Sequence, residues 1–66
     1  MLVVKVTMME GRSVEQKRAL VARLTAVAAR TIDWPADRVR VAIYELGPEA
    51  WGIGGETAGA RRELRA

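Results

Sequence analysis

Two strand-patterned runs flank one long helical run, and that order fixes most of what this chain can become. Leu2 to Met9 reads LVVKVTMM. It is rich in β-branched residues, and Leu2, Val4, Val6 and Met8 alternate onto one fully apolar face. Val39 to Leu46 reads VRVAIYEL, with Val39, Val41, Ile43 and Glu45 on one face and Arg40, Ala42, Tyr44 and Leu46 on the other. Between them, Ser13-Val14-Glu15-Gln16 fits a capping box, in which Ser13 accepts from the Gln16 amide and Gln16 reaches back. Leu20, Leu24, Val27 and Thr31 recur at helical spacing, widened by Val21, Ala28 and Ile32. Pro35 disfavours helical geometry at Trp34, so the spacing predicts a helix over 14–32. A strand, a helix and a strand make a βαβ unit, whose crossover is almost always right-handed and whose strands are parallel.

Such a unit leaves one sheet face bare. The chain has 66 residues, half of them apolar, which is one small domain with no room for a second. Cysteine is absent, so no disulfide staples it. A second copy of the chain is the natural cover.

After Gly47-Pro48, the run Trp51-Gly52-Ile53-Gly54-Gly55-Glu56 carries three glycines. It follows a turn and does not open a helix in a G-x-G-x-x-G pattern, so a short hairpin carrying Trp51 is expected in place of a dinucleotide site. The segment from Ala60 to Ala66 reads as a polar tail that frays or docks on a neighbour.

Composition excludes much chemistry. With no His and no Cys, neither a Ser-His-Asp triad nor a thiolate nucleophile exists in this chain. The α-amine has the unperturbed pKa nearest neutrality, ~7.7–8.0. Net charge is +3, and nine of the eleven cations are Arg, whose planar fork suits carboxylates. Acids interleave with these cations, which argues against a nucleic-acid partner. No stretch approaches the ~18 apolar residues of a membrane span, and the amino terminus alternates unlike a signal peptide. The expected location is cytoplasmic, and no cofactor or metal is expected.

These residues resemble a known family. Glu10-Gly11-Arg12-Ser13 with Glu15-Gln16-Lys17, the Pro35 stop, Val39-Arg40-Val41, and Gly52-Ile53-Gly54-Gly55-Glu56 after an aromatic resemble 4-oxalocrotonate tautomerase. Their order runs without a gap across nearly the whole chain. The resemblance implies a single tautomerase-like domain over 1–66 and an α/β (α+β) fold. That fold is a βαβ protomer with parallel strands and a short C-terminal hairpin. It implies a homohexamer, a trimer of dimers, or a heteromer with a proline-bearing chain. The implied substrate is a small 2-hydroxydienoate or 2-oxo acid, isomerised by enol–keto proton transfer.

In the family the general base is an amino-terminal proline exposed by loss of the initiator methionine. The residue here that matches it is Leu2, which favours retention of Met1. The resemblance therefore assigns catalysis to the Met1 amine with Arg12 and Arg40, partly from neighbouring subunits. Leu2, Arg12, Arg40 and Trp51 are the implied substrate-binding set. Activity is expected to be weakened or altered. The alternative is a non-catalytic carboxylate-binding protein or heteromer subunit. Arg12 pairing with Glu15, and Trp51 serving as a subunit contact, are the plainer roles for those residues.

Overall fold

The computed structural model describes residues 1–65, and the side chains of residues 1–62. Strand β1 spans Leu2–Met9, helix α1 Val14–Ile32, and strand β2 Val39–Leu46. A single 3-10 turn, Ala36–Arg38, joins α1 to β2. The two strands pair in parallel, from Leu2 with Val39 to Met9 with Leu46. All three elements have the bounds their periodicity predicts.

Local chemistry sets the ends of α1. Ser13 Oγ accepts from the Gln16 amide, and Gln16 Oε1 accepts from the Ser13 amide, both at 3.0 Å. At the other end Asp33 adopts a left-handed conformation, φ 58°, which Asp tolerates better than most side chains. The amides of Asp33 and Trp34 both return to the Ala29 carbonyl before Pro35 stops the helix.

The half-buried residues of α1 are Lys17, Leu20, Val21, Leu24, Thr25, Ala28 and Ala29. That stripe is rotated from the expected one. Val27, Thr31 and Ile32 stay exposed, because the helix turns its Leu20–Leu24–Ala28 side onto the sheet. On the sheet, the covered face holds Leu2, Val4, Val6, Met8, Val39, Val41 and Ile43. The other face holds Val3, Lys5, Thr7, Arg40, Ala42 and Tyr44 with nothing over it in the protomer.

The C-terminal segment departs from its expected form. Strands β3, Gly52–Ile53, and β4, Glu56–Thr57, form an antiparallel hairpin turned by Gly54 and Gly55. Both glycines have positive φ, 59° and 93°, as a two-residue type I′ hairpin requires. Trp51 precedes the hairpin and is not within its strands; its carbonyl accepts from the Ala58 amide at 2.8 Å. The expected polar tail is helix α2, Ala58–Arg65, and only Ala66 lies outside the described residues. Thr57 starts it, its Oγ1 accepting from the Ala60 amide at 3.1 Å while donating to Glu49 at 3.0 Å.

The protomer buries little. Among the described residues only Val39, 6% exposed, counts as core. The radius of gyration is 15.6 Å, against ~11 Å for a compact chain of this length. On the bare face Val3 is 47% and Tyr44 50% exposed. This flat, elongated unit needs a neighbour to complete its core. Among the described residues no helix is long and apolar enough to cross a membrane.

Candidate active site

The parallel ladder decides where each candidate group sits. Met1 precedes β1, Leu2 pairs with Val39, and Val3 pairs with Arg40, so Met1, Leu2 and Arg40 share one end of the sheet. Arg12 follows β1 at the opposite end. Eight strand residues at ~3.3 Å each separate the two ends by ~26 Å. Trp51 follows β2, whose last residue pairs with Met9, and so belongs to the Arg12 end. A small acid is several times shorter than this gap. One protomer therefore does not bring Met1, Arg12 and Arg40 together.

At the first end Met1 is 75% exposed. Leu2 is half-buried among the helix-facing residues, so within the protomer its side chain packs against the core and does not line an opening. Arg40 projects from the bare face. Its Nη1 donates to the Asp37 carbonyl of the 3-10 turn and, at 3.5 Å, to the Val39 carbonyl. These bonds go to the backbone and leave the guanidinium charge without a carboxylate counterpart.

At the second end Gly11, φ 120°, turns the chain out of β1 so that Arg12 meets the start of α1. Arg12 lines an open hollow of about 220 Å³ with Met8, Gln16, Lys17 and Leu20. The Lys17 ammonium is bound to Glu45 at 2.9 Å, which ties α1 to the end of β2. That is the one ion pair among the described residues, so Glu15 does not neutralise Arg12. Gln16 and Lys17 lie outside the expected site set. Their spacing of four and five from Arg12, on the first turns of a helix, is the signal that places them beside it. Trp51, 36% exposed, stands at the entry to the hairpin. A second hollow of about 280 Å³ lies between the hairpin and α2, lined by Ile53, Ala58, Arg61 and Arg62.

The chemistry available is thus two guanidiniums free of carboxylates, an exposed amine and an aromatic wall, split between the ends of one sheet.

Known proteins share this fold and sequence pattern. The family model described as "Tautomerase enzyme" matches residues 3–61. The 2-hydroxymuconate tautomerase of Pseudomonas putida is 41% identical over 58 residues, covering 88% of this chain and 92% of that protein. TomN, a 4-oxalocrotonate tautomerase homologue in the tomaymycin biosynthetic pathway, superposes with a TM-score of 0.90 at 39% identity, covering 97% of this chain and 98% of its own. A heterohexameric 4-oxalocrotonate tautomerase from Chloroflexus aurantiacus J-10-fl superposes with a TM-score of 0.83 at 44% identity, covering 89% and 95%. The chain belongs to the tautomerase family, a family of isomerases.

Proposed function

We propose that the protein isomerises a small 2-hydroxydienoate or 2-oxo acid by enol–keto proton transfer, at a rate set by Leu2 standing where the family has proline. The observation that carries this reading is the family match over residues 3–61, within which Arg12 and Arg40 stand, like the other described arginines, without a carboxylate partner. A charge-assisted bond from each to a substrate carboxylate or carbonyl is the strong, oriented kind. The site is shared. β1 has β2 on one side only, so its other edge is open. Two copies running antiparallel along that edge set Arg12 and Trp51 of one beside Met1 of the other.

In the reaction the unprotonated form of the Met1 amine takes the enol O–H proton. The O–H electron pair forms the C=O bond, and the C=C pair takes that proton back from the Met1 ammonium at carbon, which restores the amine. Arg40 or Arg12 holds the oxygen as charge develops on it. With Met1 retained, the amine lies up to ~3.5 Å from the position of a terminal residue-2 nitrogen. Misplacement by ~1 Å already costs ~100-fold, so turnover is slow.

A second reading is favoured by Leu2 and by the heterohexameric relative: a carboxylate-binding subunit that lends arginines to a proline-bearing chain. The test is ketonisation of 2-hydroxymuconate and phenylenolpyruvate by the purified protein, followed by ultraviolet absorbance. Slow turnover abolished by Arg40→Ala supports the enzyme. Binding without turnover, regained on adding a short chain that begins Met-Pro, supports the subunit.

A further inference from the structure

The first three amides of α2 all find partners in the segment that carries Trp51. A helix leaves its first amides without partners of its own. Here the Ala58 amide donates to the Trp51 carbonyl at 2.8 Å, and the Gly59 amide donates to the Pro48 carbonyl at 3.1 Å. The Ala60 amide donates to Thr57 Oγ1 at 3.1 Å. A threonine hydroxyl has one proton to give, and Thr57 gives it to Glu49 Oε1 at 3.0 Å. That bond turns the lone pairs of the oxygen toward the Ala60 amide.

Three links thus tie residues 48–51 to residues 57–59, and Trp51 lies within the loop they close. Two are backbone bonds, open to any side chain. The third, from Thr57 to Glu49, is the side-chain link among the described residues. Glu49 pairs with no cation among them. Gly59 completes the set: a Cβ there would overlap Glu49 Oε2 and sit 3.3 Å from the Pro48 Cβ. The bare backbone at Gly59 lets the carboxylate lie across the start of α2, where the helix dipole also favours a negative charge.

We infer, on the reading of Trp51 as a substrate-binding residue, that Glu49 acts through Thr57 as a positioning residue that fixes Trp51 as a wall of the reaction site. Without the Glu49–Thr57 clasp, the backbone bonds at Trp51 and Pro48 open more often and the indole samples more than one placement. The clasp moves no proton and touches no substrate. A loosened wall weakens the hold on substrate before and in the transition state alike, so the loss falls on KM and spares kcat.

The test reads Trp51 directly. In a Trp34→Phe background Trp51 is the remaining tryptophan. Its quenching by acrylamide is compared across variants of the full chain whose oligomeric state is matched by sedimentation. Glu49→Ala and Thr57→Val should increase quenching. They should also raise KM for 2-hydroxymuconate by about 3–10-fold, the equilibrium worth of one partly exposed hydrogen bond. The value of kcat should stay within about twofold. Glu49→Gln keeps an acceptor at the same reach and should preserve both readouts. Gly59→Ala separates positioning from helix stability. Alanine favours the helix, yet it displaces Glu49 and should loosen Trp51 as Glu49→Ala does. Trp51 held as firmly in Glu49→Ala as in the wild type overturns the inference. So does Gly59→Ala with Trp51 held more firmly, which would make the helicity of α2 the determinant in place of Glu49. Increased quenching with KM unchanged in an active protein overturns the positioning role. Should Thr57→Val fail to fold, Glu49→Ala against Glu49→Gln carries the comparison, since both replace an exposed side chain. If no form turns over, the proposed function fails alone, and the quenching series still decides the clasp.

Discussion

Replacing Leu2 by proline tests whether the rest of the site is intact. Leu2 is the first residue of β1, paired with Val39, a strand position where proline is tolerated. Its side chain is half-buried, and full burial of a leucine is worth ~1.5–3 kcal/mol, so the substitution should cost about 1 kcal/mol of stability. A small second residue permits removal of Met1, which leaves a proline amine at the family's position. The base moves inward by up to ~3.5 Å and the Met1 side chain leaves the site. A well-placed general base is worth ~10²–10⁴-fold. In barrier height that is ~2.7–5.4 kcal/mol. The assay is ketonisation of 2-hydroxymuconate by Leu2→Pro, with intact mass confirming the new terminus and sedimentation confirming assembly. A folded oligomer with proline verified at its terminus and no gain on any 2-hydroxydienoate refutes the reasoning. Arg12, Arg40 and Trp51 would then belong to ligand binding or assembly.

Three further outcomes follow from the same geometry. Sedimentation at micromolar concentration should show an oligomer, because a stable folded 7.3 kDa monomer contradicts a protomer in which Val39 alone among the described residues is core. Arg40→Ala in the Leu2→Pro background should raise KM or lower kcat by ~10–100-fold, the loss of a charged hydrogen bond of ~1.5–3 kcal/mol. In α2, Gly59→Ala should bring none of the ~1 kcal/mol that alanine normally gains over glycine in a helix. A Cβ there would overlap Glu49 Oε2 and sit 3.3 Å from the Pro48 Cβ, so Glu49 must swing away and release Thr57. Thermal unfolding of Gly59→Ala, Glu49→Ala and the double variant checks this, with the alanine gain emerging only once Glu49 is gone.

The parts of the fold legible in the sequence are those that local periodicity controls. β1, α1 and β2 have the bounds that alternation, the Ser13 capping box and Pro35 impose. Helix α2 was not legible, because Gly59 interrupts it and its described residues carry no long apolar stripe. It forms because Thr57 caps it locally and because the Gly59 amide donates to the Pro48 carbonyl at 3.1 Å, a contact from outside the helix. The rotation of the α1 stripe escaped for a similar reason. Val27 and Leu20 are equally apolar, and only the packed sheet decides between them. Arg12 and Arg40 were legible as chemistry, since a lone arginine in a strand and another after a glycine turn invite an anion. Their separation by the length of a strand is a property of the parallel register.

That separation yields a test that needs no structure of the assembly. Arg12 and Arg40 lie at opposite ends of one ~26 Å sheet, so a site that uses both must draw them from different copies. Take Arg12→Ala and Arg40→Ala, each in the Leu2→Pro background and each nearly inactive. Unfold them together in equal amounts and refold. Every protomer in the mixture still lacks one arginine. In a symmetric oligomer assembled at random, however, a site receives an intact Arg12 half the time and an intact Arg40 half the time, so about a quarter of sites are complete. Activity should recover to about that fraction of the Leu2→Pro parent, while each variant refolded alone recovers nothing. No recovery in a mixed oligomer, with exchange verified by mass, would mean that one copy supplies both arginines to a site, against the separation that the register of β1 on β2 imposes. If only one arginine serves, the other variant alone keeps the parent's activity and the mixture returns about half of it.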